Sequence, residues 1–205
     1  MIRAFALATT LLLTPAALAY EGPAEEEETV QIIGPEVGAT APDFSAITSA
    51  GATANFSDIS GENGAILVFS RSLDWCPFCK TQAIDVQSIA DDVAADGWNL
   101  NLITYDTPEI LAGFGAENEL TYTLLSDTDS AMITAFGLLN EEVPAGSRFH
   151  GVPHPAIIFI DAEGVIAGVQ REEGYRDRPP TEGIPQLVDL LNGTELPADE
   201  EADAE

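Results

Sequence analysis

The chain contains two cysteines, and they stand three residues apart in Trp75-Cys76-Pro77-Phe78-Cys79. Thiols at that spacing fit within one helical turn, close enough to join and part as a disulfide. The run before them, Ala65-Ile66-Leu67-Val68-Phe69-Ser70, is continuously apolar after Gly64, which reads as a buried strand. Pro77 suits the first turn of a helix, where its missing N–H costs nothing. The pair therefore opens a helix directly after a strand. Unpaired amides at a helix start carry partial positive charge and stabilise a thiolate. A lowered thiol pKa makes a nucleophile near neutral pH, and that role falls to Cys76. Cys79 lies one turn later on an apolar face, as the shielded thiol that attacks a mixed disulfide and releases the partner. As a structural staple the pair is poor, because closing so short a loop removes little unfolded-chain entropy.

The elements that must hold this pair follow from periodicity. Cys79, Ala83, Val86, Ala90 and Val93 recur at steps of three and four, one apolar helix face that ends at Gly97. Asn99 to Tyr105 alternates as a second strand. Thr107 to Glu117 suits a helix with Pro108 at its start. Tyr122 to Leu125 is a short strand and Asp127 to Phe136 a short helix. Ala156 to Ile160 is a third apolar strand, and the turn Asp161-Ala162-Glu163-Gly164 returns it as a hairpin through Val165 to Val169. Thr181 to Leu191 closes the chain as a helix. The expected class is α/β, a central mixed sheet with helices on both faces. Near the cysteines, Asp74 is placed to cap the helix, and Trp75 is either a cover for the thiol or a packing residue.

The two ends read differently. Met-Ile-Arg, an apolar stretch from Ala4 to Leu13 and a close at Ala17-Leu18-Ala19 have the layout of a secretory leader, cleaved after Ala19. The stretch is short of the roughly 20 apolar residues a bilayer crossing needs. The expectation is a signal peptide over 1–19, an acidic flexible segment over 20–36, one domain over 37–192 and an acidic disordered tail over 193–205. The mature protein is then exported, to a periplasm, with no membrane span. A formal net charge of −28 excludes nucleic acid and anionic lipid as partners and leaves basic ones open.

Two further motifs carry a family resemblance. Val37-Gly38-Ala39-Thr40-Ala41-Pro42-Asp43-Phe44 resembles the Gly-x-x-Ala-Pro-Asp-Phe opening of the redoxin family, the group of alkyl hydroperoxide reductase-like peroxiredoxins and related thioredoxin-like exported proteins. His154-Pro155-Ala156-Ile157-Ile158-Phe159-Ile160-Asp161 resembles its proline-then-strand segment. The resemblance covers about Val37 to Leu191. It implies a thioredoxin-like fold and a cis Pro155 beside the cysteines, with His154 facing Cys76. Trp75, Pro77, His154 and Pro155 are then the support around Cys76 and Cys79. The family's Pro-x-x-x-Thr/Ser-x-x-Cys pattern is missing, however. With Cys76 as the reactive thiol, its Pro and Thr places hold Phe69 and Leu73; with Cys79 they hold Ser72 and Cys76, and neither register fits. The arginine usual before the late strand is also missing, and Arg71 is the nearest replacement.

These departures favour a thiol-disulfide oxidoreductase acting on protein thiols and disulfides or on a thioredoxin-like redox partner. A peroxiredoxin-like thiol peroxidase acting on hydroperoxides is the alternative, and in either case no cofactor is expected. A third reading, of another class, is a metal-binding or chaperone protein. The cysteine pair with His150 and His154 offers donor types suited to zinc or copper. The histidines lie about seventy residues downstream, with no compact motif, so no metal site is assigned.

Overall fold

The computed structural model describes residues 33–172 and 177–193. The leader over 1–19, nearly all of the acidic segment over 20–36 and the tail from 194 lie outside the described residues. In chain order the elements are β1 (Ala46–Thr48), β2 (Thr53–Ala54), α1 (Phe56–Ile59), β3 (Gly64–Phe69), α2 (Pro77–Asp85), α3 (Gln87–Ala95), β4 (Trp98–Thr104), α4 (Pro108–Glu117), β5 (Thr123–Ser126), α5 (Ala131–Ala135), β6 (Ala156–Asp161), β7 (Ile166–Arg171) and α6 (Gly183–Leu191). The strands form one mixed sheet in the order β2-β1-β5-β4-β3-β6-β7. β3 runs parallel to β4 and antiparallel to β6, so it is an interior strand, and the cysteine segment departs from its end.

β3 is apolar at every position because both of its faces are covered. Ile66 and Val68 enter a core shared with Cys79 and Ala83 of α2, Val86 at the junction, Ala90 and Val93 of α3, Leu111 of α4, and Ile184 and Val188 of α6. Ala65, Leu67 and Phe69 enter the opposite core with Ile59 of α1 and Met132 and Ile133 of α5. β6 divides the same way, Ile157 and Phe159 to one side and Ile158 and Ile160 to the other. Removing such a side chain, as in Leu67→Ala, costs about 2–5 kcal/mol in a close-packed core. The start of β3 is fixed by Gly64 at φ 151°, where a Cβ would run into the Ile160 carbonyl oxygen.

Two features differ from the sequence expectation. The strands β1 and β2 and the short helix α1 precede β3; with two to four residues each, they are too short for periodicity to register. The single helix expected after the cysteines is two, α2 and α3, parted at Val86. There the Ser88 hydroxyl donates to the Asp85 carbonyl at 2.7 Å, and the Ile89 amide reaches back only three residues, to the Val86 carbonyl. Such local bonds compete with the regular ladder. The apolar face keeps its phase across the break, so Cys79 stays on the core. Among the described residues, no helix is long and apolar enough to cross a membrane.

Candidate active site

Cys76 and Cys79 are joined in a disulfide. Cys76 is the N-cap of α2, with Pro77 in the first turn, and its sulfur accepts the Cys79 amide at 3.3 Å. The capping role expected of Asp74 therefore belongs to Cys76 itself. The Asp74 amide instead donates to the Ser72 hydroxyl at 3.0 Å, because the chain between β3 and α2 folds around that hydroxyl. Cys76 is 1% exposed and Cys79 fully buried.

The loop is anchored from below by a carboxylate absent from the sequence reading. Asp106, just past the end of β4, accepts the Ser72 hydroxyl at 2.7 Å and the Leu73 amide at 2.6 Å. It also accepts the Thr104 hydroxyl at 2.9 Å. Burial nevertheless pushes its pKa up; those three bonds and the charge of Asp74 are the smaller influences, the bonds opposing the rise and Asp74 adding to it. Leu73, at the place where the family pattern has a hydroxyl, is buried in the core and offers the site only its backbone.

Two arginines face the sulfurs. Arg71 Nη2 lies 3.8 Å from Cys76 Sγ. Arg178 Nη2 lies 3.8 Å from Cys76 Sγ and 3.2 Å from Cys79 Sγ. Arg178 comes from Asp177-Arg178-Pro179-Pro180, between β7 and α6, a segment the sequence reading passed over. Its signal there was slight: one of 7 Lys and Arg against 35 Asp and Glu, placed before two prolines. Burial and the charge of Arg71 push its pKa down to about 10 against the pull of Asp177, which leaves it cationic at neutral pH. A guanidinium against a sulfur favours the thiolate form of that sulfur.

Trp75 lies beside the pair. Its indole N–H donates to the Tyr105 hydroxyl at 2.9 Å, its ring packs on Phe149 at 4.6 Å, and Arg71 sits 5.8 Å over it. Trp75 thus both packs and lines the site.

The late loop departs from expectation. Leu139 bridges Pro153 in antiparallel fashion, and the His154 amide donates to the Leu138 carbonyl at 2.7 Å. The chain is therefore already extended when it enters β6, and the expected cis bond before Pro155 is corrected to trans; no cis peptide bond occurs among the described residues. Pro155 stands one residue beyond the Ala156–Phe69 pair, where the cysteine loop leaves the sheet. The His154 ring makes no hydrogen bond to either sulfur. Burial holds it below the usual histidine range, opposed by Glu142, so it is neutral at pH 7. His150 lies apart, its Nδ1 3.2 Å from the Val143 carbonyl. No group of three or more potential metal ligands sits together among the described residues.

Comparison with known proteins follows the same lines. Peroxiredoxin Bcp of Escherichia coli is 30% identical over 134 residues, which are 65% of this chain and 84% of that relative. The thiol peroxidase from Chromobacterium violaceum superposes with a TM-score of 0.64 at 24% identity, over 78% of this chain and 90% of that one. Mycobacterium bovis AhpC does so with a TM-score of 0.67 at 18% identity, over 82% and 99%. These two likenesses establish the fold, a thioredoxin-like mixed sheet. The profile of the AhpC/TSA family matches residues 37–169, and with the Escherichia coli relative it makes this chain a member of that family.

Proposed function

We propose that this protein is a thiol peroxidase whose reactive sulfur is Cys76 and whose resolving sulfur is Cys79. The observation that carries the reading is the pair of guanidinium groups, Arg71 and Arg178, at the Cys76 sulfur. In the reduced protein they and the start of α2 hold Cys76 as a thiolate. The thiolate attacks the terminal oxygen of a hydroperoxide, the O–O bond breaks, and the departing alkoxide takes a proton to leave as the alcohol. The guanidinium N–H groups are placed to stabilise the charge that builds on the oxygens. Cys76 is now a sulfenic acid. The Cys79 thiol attacks its sulfur, water leaves, and the disulfide forms. An external dithiol then reduces the bond by exchange.

The missing hydroxyl at Leu73 separates this site from the usual pattern, and the two arginines supply donors in its place. The test is rapid mixing of the reduced protein with hydrogen peroxide and with cumene hydroperoxide, followed through tryptophan fluorescence and by mass. Formation of the Cys76–Cys79 disulfide with one peroxide consumed, much faster than for free cysteine at the same pH, supports the reading. Oxidation no faster than that of free cysteine refutes it.

A second reading, dithiol–disulfide exchange with protein substrates, is favoured by one observation. The disulfide closes within the intact first turn of α2, so oxidation and reduction need no helix unwinding. Reduction of an insulin-type disulfide by the dithiol form would bring this reading forward. In both readings the leader over 1–19 supports export to a periplasm, and the mass of the mature protein, beginning at Tyr20, checks it.

A further inference from the structure

An open groove of about 810 Å³ runs along α2 to the segment 177–182, and Arg178, which touches both sulfurs, forms part of its wall. Phe78 and Ile84 of α2 line it and are 44% and 46% exposed, two of the few large apolar side chains exposed among the described residues. Among the described residues, Asp85, Glu172, Asp177 and Glu182 line it too, four carboxylates beside the guanidinium of Arg178. Both cysteines are closed to solvent, so a reductant must approach through a neighbouring surface, and the wall of this groove includes Arg178, which touches both sulfurs.

The geometry points to this groove as the docking surface of the protein that reduces the Cys76–Cys79 disulfide, a dithiol protein with basic residues around its cysteines and an apolar side chain to set against Phe78 and Ile84. The inference rests on the proposed reading in which an external dithiol turns the disulfide over. Charge complementarity chooses the partner: a carboxylate-lined groove on a chain of net charge −28 repels acidic surfaces and steers basic ones inward. An apolar centre with a charged rim is the usual anatomy of a transient interface. In the exchange, the partner's thiolate attacks one sulfur of the disulfide. The other leaves as a thiolate and takes a proton. The partner's second thiol then attacks the partner's first sulfur and gives up its proton; this protein's sulfur leaves as a thiolate and is protonated, so this protein is reduced and the partner is oxidised to its own disulfide.

Two Cys-Gly-Pro-Cys peptides test this, one flanked by lysines and one by glutamates, each with a leucine beside the motif. The rate of disulfide reduction is measured for the full mature chain in low salt and in 0.5 M NaCl, with dithiothreitol as the uncharged control. The lysine peptide is expected to react at least about tenfold faster in low salt, and the gap is expected to close as salt screens the rim. Asp85→Asn with Glu182→Gln should remove much of the gap. Glu62→Gln with Glu163→Gln, which neutralises two exposed carboxylates at the far end of β3, should leave it. Phe78→Ser should slow both peptides and leave dithiothreitol unaffected. Equal rates for the two peptides, or an equal effect of the distant pair, would overturn the docking surface. So would a Phe78→Ser effect confined to oxidation by cumene hydroperoxide, which would make the groove a peroxide site. Peroxide oxidation of dithiothreitol-reduced protein keeps the two readings apart. If peroxide forms no disulfide, the peroxidase reading fails; if it does and the peptides react alike, only the docking surface fails.

Discussion

Arg178→Met replaces the cation at the sulfurs with an apolar chain of similar length. Its guanidinium lies 3.8 Å from Cys76 Sγ, and at neutral pH it is charged. Two unit charges at about 4 Å attract by about 4 kcal/mol at an effective dielectric near 20. Arg71 and the α2 amides remain in the variant, and withdrawal of the ions from water offsets part of the attraction. A net rise of about 1–2 units in the Cys76 thiol pKa is therefore expected, at 1.36 kcal/mol per unit. The sign is set by the charge: losing a cation disfavours the thiolate, so the variant needs a higher pH to ionise. The rate of iodoacetamide alkylation of the reduced protein against pH reads the midpoint directly. The peroxide rate at pH 6–7 should fall about 10- to 100-fold, from the smaller thiolate fraction and the lost N–H donor. Arg178→Lys should restore most of the midpoint but less of the peroxide rate, because an ammonium keeps the charge and loses the planar fork. An Arg178→Met protein with an unchanged midpoint and an unchanged peroxide rate would refute the assignment of this arginine to the site.

Cys79→Ser should leave a sulfenic acid on Cys76 after one equivalent of peroxide, captured by dimedone and seen by mass, whereas Cys76→Ser should capture none; capture on Cys79 alone would reverse the roles. Pro155→Ala should keep the fold and most of the activity, since the bond it would alter is already trans, and His154→Ala should change the peroxide rate by less than the arginine variants do; a collapse of turnover in either would show that the late loop acts on the sulfurs directly. Asp106→Asn tests the anchor of the cysteine loop. The folded-state pKa of Asp106 is raised, so its contribution to stability falls as pH rises through that value, and the variant should show a flatter thermal-unfolding profile from pH 4 to 7 than the parent. Parallel profiles would mean the carboxyl titrates alike in folded and unfolded chains.

What could be read in the residues was whatever repeats or stands adjacent. The apolar run of β3, the Cys79-Ala83-Val86-Ala90-Val93 face and the β6–β7 hairpin are local patterns, and each lies where its period puts it. Cys76 at the start of a helix followed from Pro77 alone. What escaped is assembled by the fold from distant segments. Asp106 reaches the loop because β4 lies parallel to β3 and ends beside it. Arg178 lies 102 residues from Cys76 and arrives only because the segment 177–182 lies alongside α2. No periodicity marks an isolated charged residue in a loop. The same limit applies to the bond before Pro155: a short motif carried the expectation of cis, and the bond is trans, in a segment where Leu139 bridges Pro153 and the His154 amide bonds the Leu138 carbonyl.

The site thus departs from the family pattern by relocation of its supports. The pattern places a hydroxyl three residues before the reactive thiol; here that residue is Leu73, whose side chain belongs to the core and whose amide is held by Asp106. The pattern places an arginine before the late strand; here that place is His154, neutral and not bonded to the sulfurs. Cationic support comes instead from Arg71, five residues before Cys76, and from Arg178, beyond the residues the family profile matches. The consequence for chemistry is specific. A hydroxyl can both accept and donate while a peroxide is positioned, whereas a guanidinium only donates and carries charge. On the proposed reading, stabilising the thiolate and the departing oxygen is therefore the stronger part of this site, and orienting the peroxide the weaker. Arg178 also reaches Cys79, at 3.2 Å, so the same cation favours whichever sulfur leaves as thiolate when the disulfide is reduced. On the proposed reading, one arginine within reach of both sulfurs serves both the oxidation of the pair and its return.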